Sequence, residues 1–293
     1  MYDIIILGKG PAGIQASLYA ARAKMKTLVI AKDWGSLEKA EKIENYYGVK
    51  SISGIDLLKS GVKQAEALGV EVIEDEVVGI SGYDQVEVNC LIGKYEAHAL
   101  IIAIGSARKK VHIEGLTQFE GRGISYCAVC DGFFYKNKKL VVLGYKDYTA
   151  HEAYELKPFT EDITILTNGN PLSLSEETKN LISGMTVIED KVVEIFGDEK
   201  VRGARFENGK TISFDGAFVA YDSASGSELA MKMGLELDNQ NIVVDEHFGT
   251  NIPNVFAAGD CLGGFKQVSK SVGEGAIAGK SAIEYVREKK KTL

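Results

Sequence analysis

Asp3-Ile4-Ile5-Ile6-Leu7-Gly8-Lys9-Gly10-Pro11-Ala12-Gly13 is a run of apolar β-formers that passes directly into a Gly-x-Gly-x-x-Gly turn. The residues that follow, Ile14 to Ala23, read as a helix, and Thr27-Leu28-Val29-Ile30 as a second strand. Strand, glycine turn, helix and strand in that order predict a dinucleotide-binding βαβ unit, the context in which this glycine spacing becomes specific. The first glycine allows a tight turn, and the second lets the backbone approach a pyrophosphate. The third lets helix and strand pack closely, with the phosphates on the helix N-terminus. The usual ribose-binding acid is not evident: Asp33 has the right sequence distance but lies beyond the end of the second strand.

Further along, Ala99 to Gly105 reads as another long strand, and the basic Arg108-Lys109-Lys110 after it marks a crossover between domains. A second strand–turn–helix begins at Lys139-Leu140-Val141-Val142-Leu143-Gly144, with a helix around Glu152 to Leu156 and a strand at Ile163 to Leu166. Its glycine fingerprint fails. Lys146 stands where the second glycine belongs and Thr149 where the third belongs, so a lysine side chain is expected in the space a pyrophosphate needs. The strand after it ends in Thr167-Asn168-Gly169-Asn170, with no arginine to pair a 2′-phosphate. The last strand, at Val255, runs into Gly259-Asp260-Cys261, and a Gly/Ala-rich helix spans Val272 to Ala282. Asp260 could accept hydrogen bonds from a ribityl or ribose hydroxyl, or serve as a helix N-cap. The small residues of the helix imply close contact with a backbone or a flat cofactor.

Between the two βαβ units lies Tyr126-Cys127-Ala128-Val129-Cys130-Asp131-Gly132-Phe133-Phe134. Two cysteines separated by two residues can close and reopen a short disulfide, and such an arrangement lowers a thiol's pKa. Asp131 directly after the second cysteine is a candidate proton carrier. A structural zinc site would need a second Cys/His pair, whereas Cys90 and Cys261 are isolated and His98, His112, His151 and His247 show no ligand spacing. No metal is expected. A static disulfide closing so short a loop would add little stability, and a chance pair of buried thiols is the remaining alternative. Redox chemistry is the favoured reading.

The 293 residues carry 45% hydrophobic and 26% charged side chains, ordinary for one large or two smaller globular domains. Four cysteines, no apparent secretory signal and no run long enough to span a bilayer predict a cytoplasmic protein without a membrane partner. A net charge of −7 gives no general drive to bind nucleic acid. Local basic runs do occur at Arg108-Lys109-Lys110, at Lys136 with Lys138-Lys139, and at Lys289-Lys290-Lys291.

Taken together these segments resemble the low-molecular-weight thioredoxin reductase family of flavoproteins over essentially the whole chain. The resemblance rests on Gly8–Gly13, on Glu44-Asn45 before Tyr46-Tyr47-Gly48, and on Ile101–Gly105, with Ile104 where a threonine is common. Cys127–Phe134 and Ala257–Asp260 followed by Lys266-Gln267-Val268 complete it. It implies an α/β protein of two Rossmann-like (doubly wound, three-layer) dinucleotide-binding domains, the second inserted into the first. Residues 1–108 and 240–293 would form the FAD domain, and 109–239 the inserted domain carrying the disulfide. It also implies a homodimer. Cys130 would face the flavin, Cys127 would attack thioredoxin, and Asp131 would be the acid/base. FAD would be held by Gly8, Gly10, Pro11, Ala12, Gly13, Ser36, Leu37, Asn45, Ala103, Gly105, Gly259, Asp260, Lys266, Gln267 and Val268.

The departures concentrate in one place. The family binds NADPH in the second domain through Gly-x-Gly-x-x-Ala, an arginine-bearing turn and a later Ala-x-Gly. Here these read Gly144-Tyr145-Lys146-Asp147-Tyr148-Thr149, Thr167-Asn168-Gly169-Asn170 and Ala220-Tyr221-Asp222. That pattern is similar to the ferredoxin-dependent flavin thioredoxin reductases, and it implies reduced ferredoxin as donor, with deazaflavin or flavodoxin as other possibilities. Because ferredoxins are usually acidic, Lys136, Lys138, Lys139 and Lys146 are the expected docking residues. An NADPH-dependent enzyme with an atypical pocket and a non-catalytic flavin-binding redox sensor are the competing readings.

Overall fold

The computed structural model describes residues 1–105, 111–221 and 226–292. The basic run at 108–110 and Asp222 lie outside the described residues. The chain divides into two compact units, Met1–Arg108 with Ser225–Leu293, and Lys109–Ala224.

In chain order the first unit begins with β1 (Tyr2–Leu7), α1 (Pro11–Arg22), β2 (Thr27–Ala31), α2 (Gly54–Ala67) and β3 (Glu71–Glu74). It continues through β4 (Val77–Ser81), β5 (Val86–Cys90) and β6 (Lys94–Ile102). The second unit comprises β7 (Ile124–Ser125), α3 (Ala128–Asp131), β8 (Leu140–Leu143), α4 (Asp147–Leu156), β9 (Ile163–Leu166), α5 (Glu176–Lys179) and β10 (Thr186–Ile188). An antiparallel sheet of β11 (Val192–Gly197), β12 (Val201–Phe206) and β13 (Thr211–Ser213) follows, then β14 (Gly216–Val219). The chain re-enters the first unit with α6 (Gly226–Met233), β15 (Leu237–Asp238), β16 (Asn241–Ile242), β17 (Val255–Ala257) and α7 (Val268–Thr292).

The first unit's main sheet runs β3-β2-β1-β6-β5-β4. β3, β2, β1 and β6 are parallel, and β17 pairs parallel with the C-terminal half of β6, Val255 opposite Leu100. Alternation sorts the strand residues onto two faces. Ile4, Ile6, Val29, Ala99, Ile101 and Phe256 form one cluster with residues of α1 and α7, while Ile5, Leu7, Leu28, Leu100 and Ile102 are buried on the other side. Both faces are covered, so the layering is helix–sheet–cover, as expected for parallel strands that are apolar throughout.

The second unit repeats the plan with a parallel sheet ordered β10-β9-β8-β14-β7. Val141, Leu143, Leu166, Ala217 and Val219 pack with residues of the antiparallel sheet, and Leu140, Val142, Ile165 and Phe218 pack with α4. The mixed α/β class and the two Rossmann-like halves read from the sequence are those of the molecule. The return to the first unit comes at Ser225 where the sequence suggested 240. Helix α6 is the reason: it packs on β4 and β16, and Lys232 donates to the Val78 carbonyl at 3.1 Å. Helix α7 also outruns its expected end at Ala282, because Lys289, Lys290 and Lys291 in its last turn suit the negative end of the helix dipole.

Candidate functional site

The glycine turn of the first unit is built as its spacing implied. Gly8 has φ +105°, and a Cβ there would lie 2.3 Å from the Ala103 carbonyl oxygen; a Cβ on Gly13 would lie 2.0 Å from that of Gly8. Both positions require glycine for close packing. Gly10 differs, having nothing within 4 Å of an added Cβ, so its backbone faces open space. Gly10 is the N-cap of α1 with no side-chain cap, Pro11 occupies the first turn, and no acid stands there. The N–H groups and dipole of α1 are therefore available to an anion.

The second end of the chain completes this cradle. Cβ atoms on Gly275 and Gly279 would meet Ala12 O at 2.1 Å and Ala16 Cα at 3.0 Å, so the small residues of α7 serve contact with the α1 backbone. Asp260 opens a short 3-10 turn, Asp260–Leu262, and does not cap α7. Its Oδ1 accepts from Ser271 Oγ at 3.4 Å. Gly259 N–H donates to Glu274 at 2.8 Å, and Lys270 pairs with Glu274 at 3.0 Å. Asn45 Nδ2 donates to Gln267 Oε1 at 2.9 Å, joining two candidate residues from opposite ends of the chain. Ser36 and Leu37 lie in a 3-10 turn, and a Cβ on Gly54 would meet the Leu37 carbonyl at 1.8 Å. Ala103 and Gly105 follow β6, Lys266 is exposed, and Val268 begins α7. The bracing residues Lys270, Ser271 and Glu274 were not singled out in the sequence; their i, i+4 spacing resembles any solvated helix face.

In the second unit Cys127 and Cys130 are disulfide-bonded, with Cα atoms 5.3 Å apart. Cys127 is 3% exposed, whereas Cys130 is exposed. Attack on an outside disulfide by Cys127 therefore needs its sulfur uncovered. Four hydrogen bonds hold the turn. Ser125 Oγ accepts from Cys127 N–H at 3.1 Å and donates to Asp131 Oδ2 at 2.7 Å. Cys130 N–H donates to Cys127 Sγ at 3.1 Å. Glu152, on α4 and 1% exposed, accepts from Ala128 N–H at 2.9 Å. Ser125 and Glu152 escaped the sequence reading because one is a lone hydroxyl at a strand end and the other lies 24 residues beyond Ala128. Burial and the Asp131 charge push the Tyr135 hydroxyl upward. Val129, Phe133 and Phe134 are 58%, 70% and 75% exposed beside the disulfide.

The corresponding turn of the second unit is closed by its own side chains. Thr149 Oγ1 accepts from Lys146 N–H at 3.2 Å and donates to the Ala220 carbonyl at 2.8 Å. Asp147 stands in the first turn of α4, its carboxylate accepting from Ser175 N–H at 2.7 Å and from the Thr178 hydroxyl. Tyr145 and Tyr221 meet edge-on at 5.1 Å, and Asn170 Nδ2 donates to Tyr221 Oη at 2.7 Å. The Lys146 ammonium lies 5.2 Å from the centre of the Tyr145 ring. An acid and a closed cap at a helix N-terminus oppose a phosphate there.

The four candidate docking lysines do not share one edge of the sheet. Lys136, Lys138 and Lys139 are exposed and precede β8, while Lys146 follows it, so the length of the strand, roughly 13 Å at 3.3 Å per residue, separates them. Lys139 is also close to two acids, with Asp162 at 4.0 Å and Asp215 accepting its backbone N–H at 2.9 Å. Cys90 is half-buried and Cys261 is buried, and burial pushes both thiols to about 12. Among the described residues no group of three or more His, Cys, Asp or Glu could hold a metal, and no helix is long and apolar enough to cross a membrane.

Residues 2–275 match the family described as pyridine nucleotide-disulphide oxidoreductase, and the chain belongs to it. It is a homologue of thioredoxin reductases. It is 34% identical to the thioredoxin reductase of Listeria monocytogenes, over 100% of this chain and 96% of the relative. The crystal structure of the atypical thioredoxin reductase TRi from Desulfovibrio vulgaris Hildenborough shares 35% identity with a TM-score of 0.93, covering 98% of this chain and 99% of that one. A ferredoxin-flavin thioredoxin reductase structure from Clostridium acetobutylicum shares 30% identity with a TM-score of 0.73, covering 98% of each. The protein is thus a flavoprotein disulfide reductase with FAD as cofactor. The open N-terminus of α1 and the unobstructed space at Gly10 fit that group.

Proposed function

We propose that this chain reduces thioredoxin through Cys127 and Cys130 and receives its electrons from reduced ferredoxin. One observation carries the choice of donor: α1 presents an open, acid-free N-terminus, whereas the equivalent end of α4 bears Asp147 and is capped by Thr149. The same fold thus offers a phosphate site once and opposes it once. The names of the ferredoxin-flavin relatives support the reading.

Bound FAD supplies the ability to exchange electrons one or two at a time. Gly10 to Gly13 would hold its phosphates, and Ser36, Leu37, Asn45, Asp260 and Gln267 with the neighbouring candidates would hold the rest. Two electrons and two protons break the Cys127–Cys130 bond and leave a dithiol. The Cys127 thiolate then attacks the thioredoxin disulfide, forming a mixed disulfide and releasing one partner thiolate. Cys130 attacks Cys127, which restores the internal disulfide and frees the reduced partner. Asp131, held by Ser125, moves the proton to and from the thiolates. The exposed Val129, Phe133 and Phe134 suit a protein partner, since large exposed apolar groups mark such surfaces. Lys136 and Lys138, before β8, are the docking candidates for an acidic donor. The working form is a cytoplasmic homodimer.

The test compares NADPH, NADH and reduced ferredoxin as donors to the purified FAD-loaded protein. Ferredoxin is expected to bleach the flavin and support thioredoxin reduction. Rapid bleaching by NADPH would transfer the assignment to an NADPH-dependent enzyme. Failure of a chemically reduced flavin to open the disulfide would indicate a redox sensor.

A further inference from the structure

The proposed reaction needs a dithiol that is strongly reducing, since a thioredoxin-type acceptor sits at roughly −270 mV. Nothing in Cys-x-x-Cys alone guarantees this: a pair whose thiolate is well stabilised becomes an oxidant, because the reduced form is then favoured. The surroundings of the turn decide which way the pair leans.

We propose that Glu152 is a positioning residue for the redox pair, holding the turn through the Ala128 N–H and keeping the dithiol reducing through its negative charge. Its side chain reaches from α4 to the backbone N–H that directly follows Cys127, at 2.9 Å, and is 1% exposed. A carboxylate so placed acts in two ways. It occupies a donor that would otherwise be free to favour a Cys127 thiolate, and it sets a buried carboxylate against the backbone of the redox turn. Asp131 from the turn itself acts with the same sign, and Tyr135 from the following 3-10 turn has its own ionisation pushed upward. Destabilising the thiolate raises the free energy of the reduced pair relative to the disulfide.

This inference rests on the redox reading of Cys127–Cys130 and is indifferent to the donor. The experiment equilibrates the FAD-loaded protein, without oxygen and at one pH, with mixtures of dithiothreitol and its cyclic disulfide. The reagent loses two electrons and two protons, its own S–S bond forms, and the Cys127–Cys130 bond opens. Acid quenching and thiol labelling then give the reduced fraction. Glu152→Gln keeps an acceptor oxygen and the volume but removes the charge. It is expected to shift the equilibrium constant about tenfold toward the dithiol, which is about 30 mV. Glu152→Asp keeps the charge while perturbing the packing, and should stay within about threefold of wild type. A Gln variant indistinguishable from wild type, or an Asp variant shifted tenfold, would overturn the role of charge. If the Gln variant does not fold, the Asp variant alone decides. A wild-type pair that dithiothreitol cannot open reversibly would sink the redox reading itself.

Discussion

Ser125 Oγ stands 2.7 Å from Asp131 Oδ2 and donates to it, while the same oxygen accepts the N–H of Cys127. One hydroxyl therefore links the backbone of the first cysteine to the carboxylate that follows the second. Ser125→Ala should leave FAD content unchanged and lower thioredoxin turnover about tenfold, the worth of a hydrogen bond to a charged group. Asp131→Asn should cost more, on the order of a hundredfold, as loss of a positioned proton carrier. Steady-state turnover against pH tests both, and equal losses in the two variants would deny Asp131 a separate role.

The two sulfurs are inequivalent, Cys127 buried and Cys130 exposed. If Cys127 is the attacking sulfur, Cys130→Ser should accumulate a mixed disulfide with thioredoxin, and Cys127→Ser should not. Mass spectrometry of the quenched mixtures reads the outcome directly, and trapping by the Cys127→Ser protein would reverse the assignment.

Asp147 binds Ser175 N–H and the Thr178 hydroxyl from the first turn of α4. Asp147→Ala is expected to lower stability by about 1.5–3 kcal/mol, the range for hydrogen bonds to charged groups, measured by urea unfolding. It should not make NADPH a reductant of the flavin, because Thr149 still closes the helix end. Flavin bleaching by NADPH in this variant would show that the acid alone excludes the nucleotide.

Lys136 and Lys138 are exposed ahead of β8, and Lys139 is already close to Asp162. Reversing the first two to Glu should slow turnover with reduced ferredoxin severalfold at low salt and flatten its salt dependence, since steering is screened over about 10 Å at 0.1 M. Turnover with chemical reductants should be unchanged. Unaltered ferredoxin kinetics would remove these lysines from the docking surface.

Burial pushes the thiols of Cys90 and Cys261 up to about 12, well above an ordinary free thiol. A raised thiol in the folded state means that the unfolded chain loses its protons first. Stability should therefore be unaffected by these groups below about pH 9 and fall above it. Cys90→Ala with Cys261→Ala should flatten that alkaline decline in urea midpoints. In the native reduced protein at pH 8, iodoacetamide should modify only the Cys127–Cys130 pair; ready labelling of Cys261 would contradict its burial.

How much of this was legible in the chain depended on the reach of each determinant. The Gly8–Gly13 turn was readable because its packing against Ala103 and its own carbonyl follows from three glycines at fixed spacing. The failed motif at Lys146 and Thr149 was readable as a loss. Its replacement was not, because Tyr221, Asn170, Ser175 and Ala220 come from distant strands and loops. The expected lysine in the pyrophosphate space proved to stack on Tyr145. Ser125 and Glu152 show the same limit at the redox turn. The four lysines expected to dock the donor are divided by β8 for a simpler reason: neighbours in sequence can stand at opposite ends of a strand.

The Asn45–Gln267 bond and the seat of Gly275 on Ala12 join segments separated by more than two hundred residues. The proposed cofactor cradle is consequently completed only when α7 has been made. A nascent chain lacking α7 can hold β1 and α1 but not the wall that packs on them, so on the proposed function flavin is expected to be acquired only after α7 has been made. Messages interrupted shortly before Val268 would yield colourless protein.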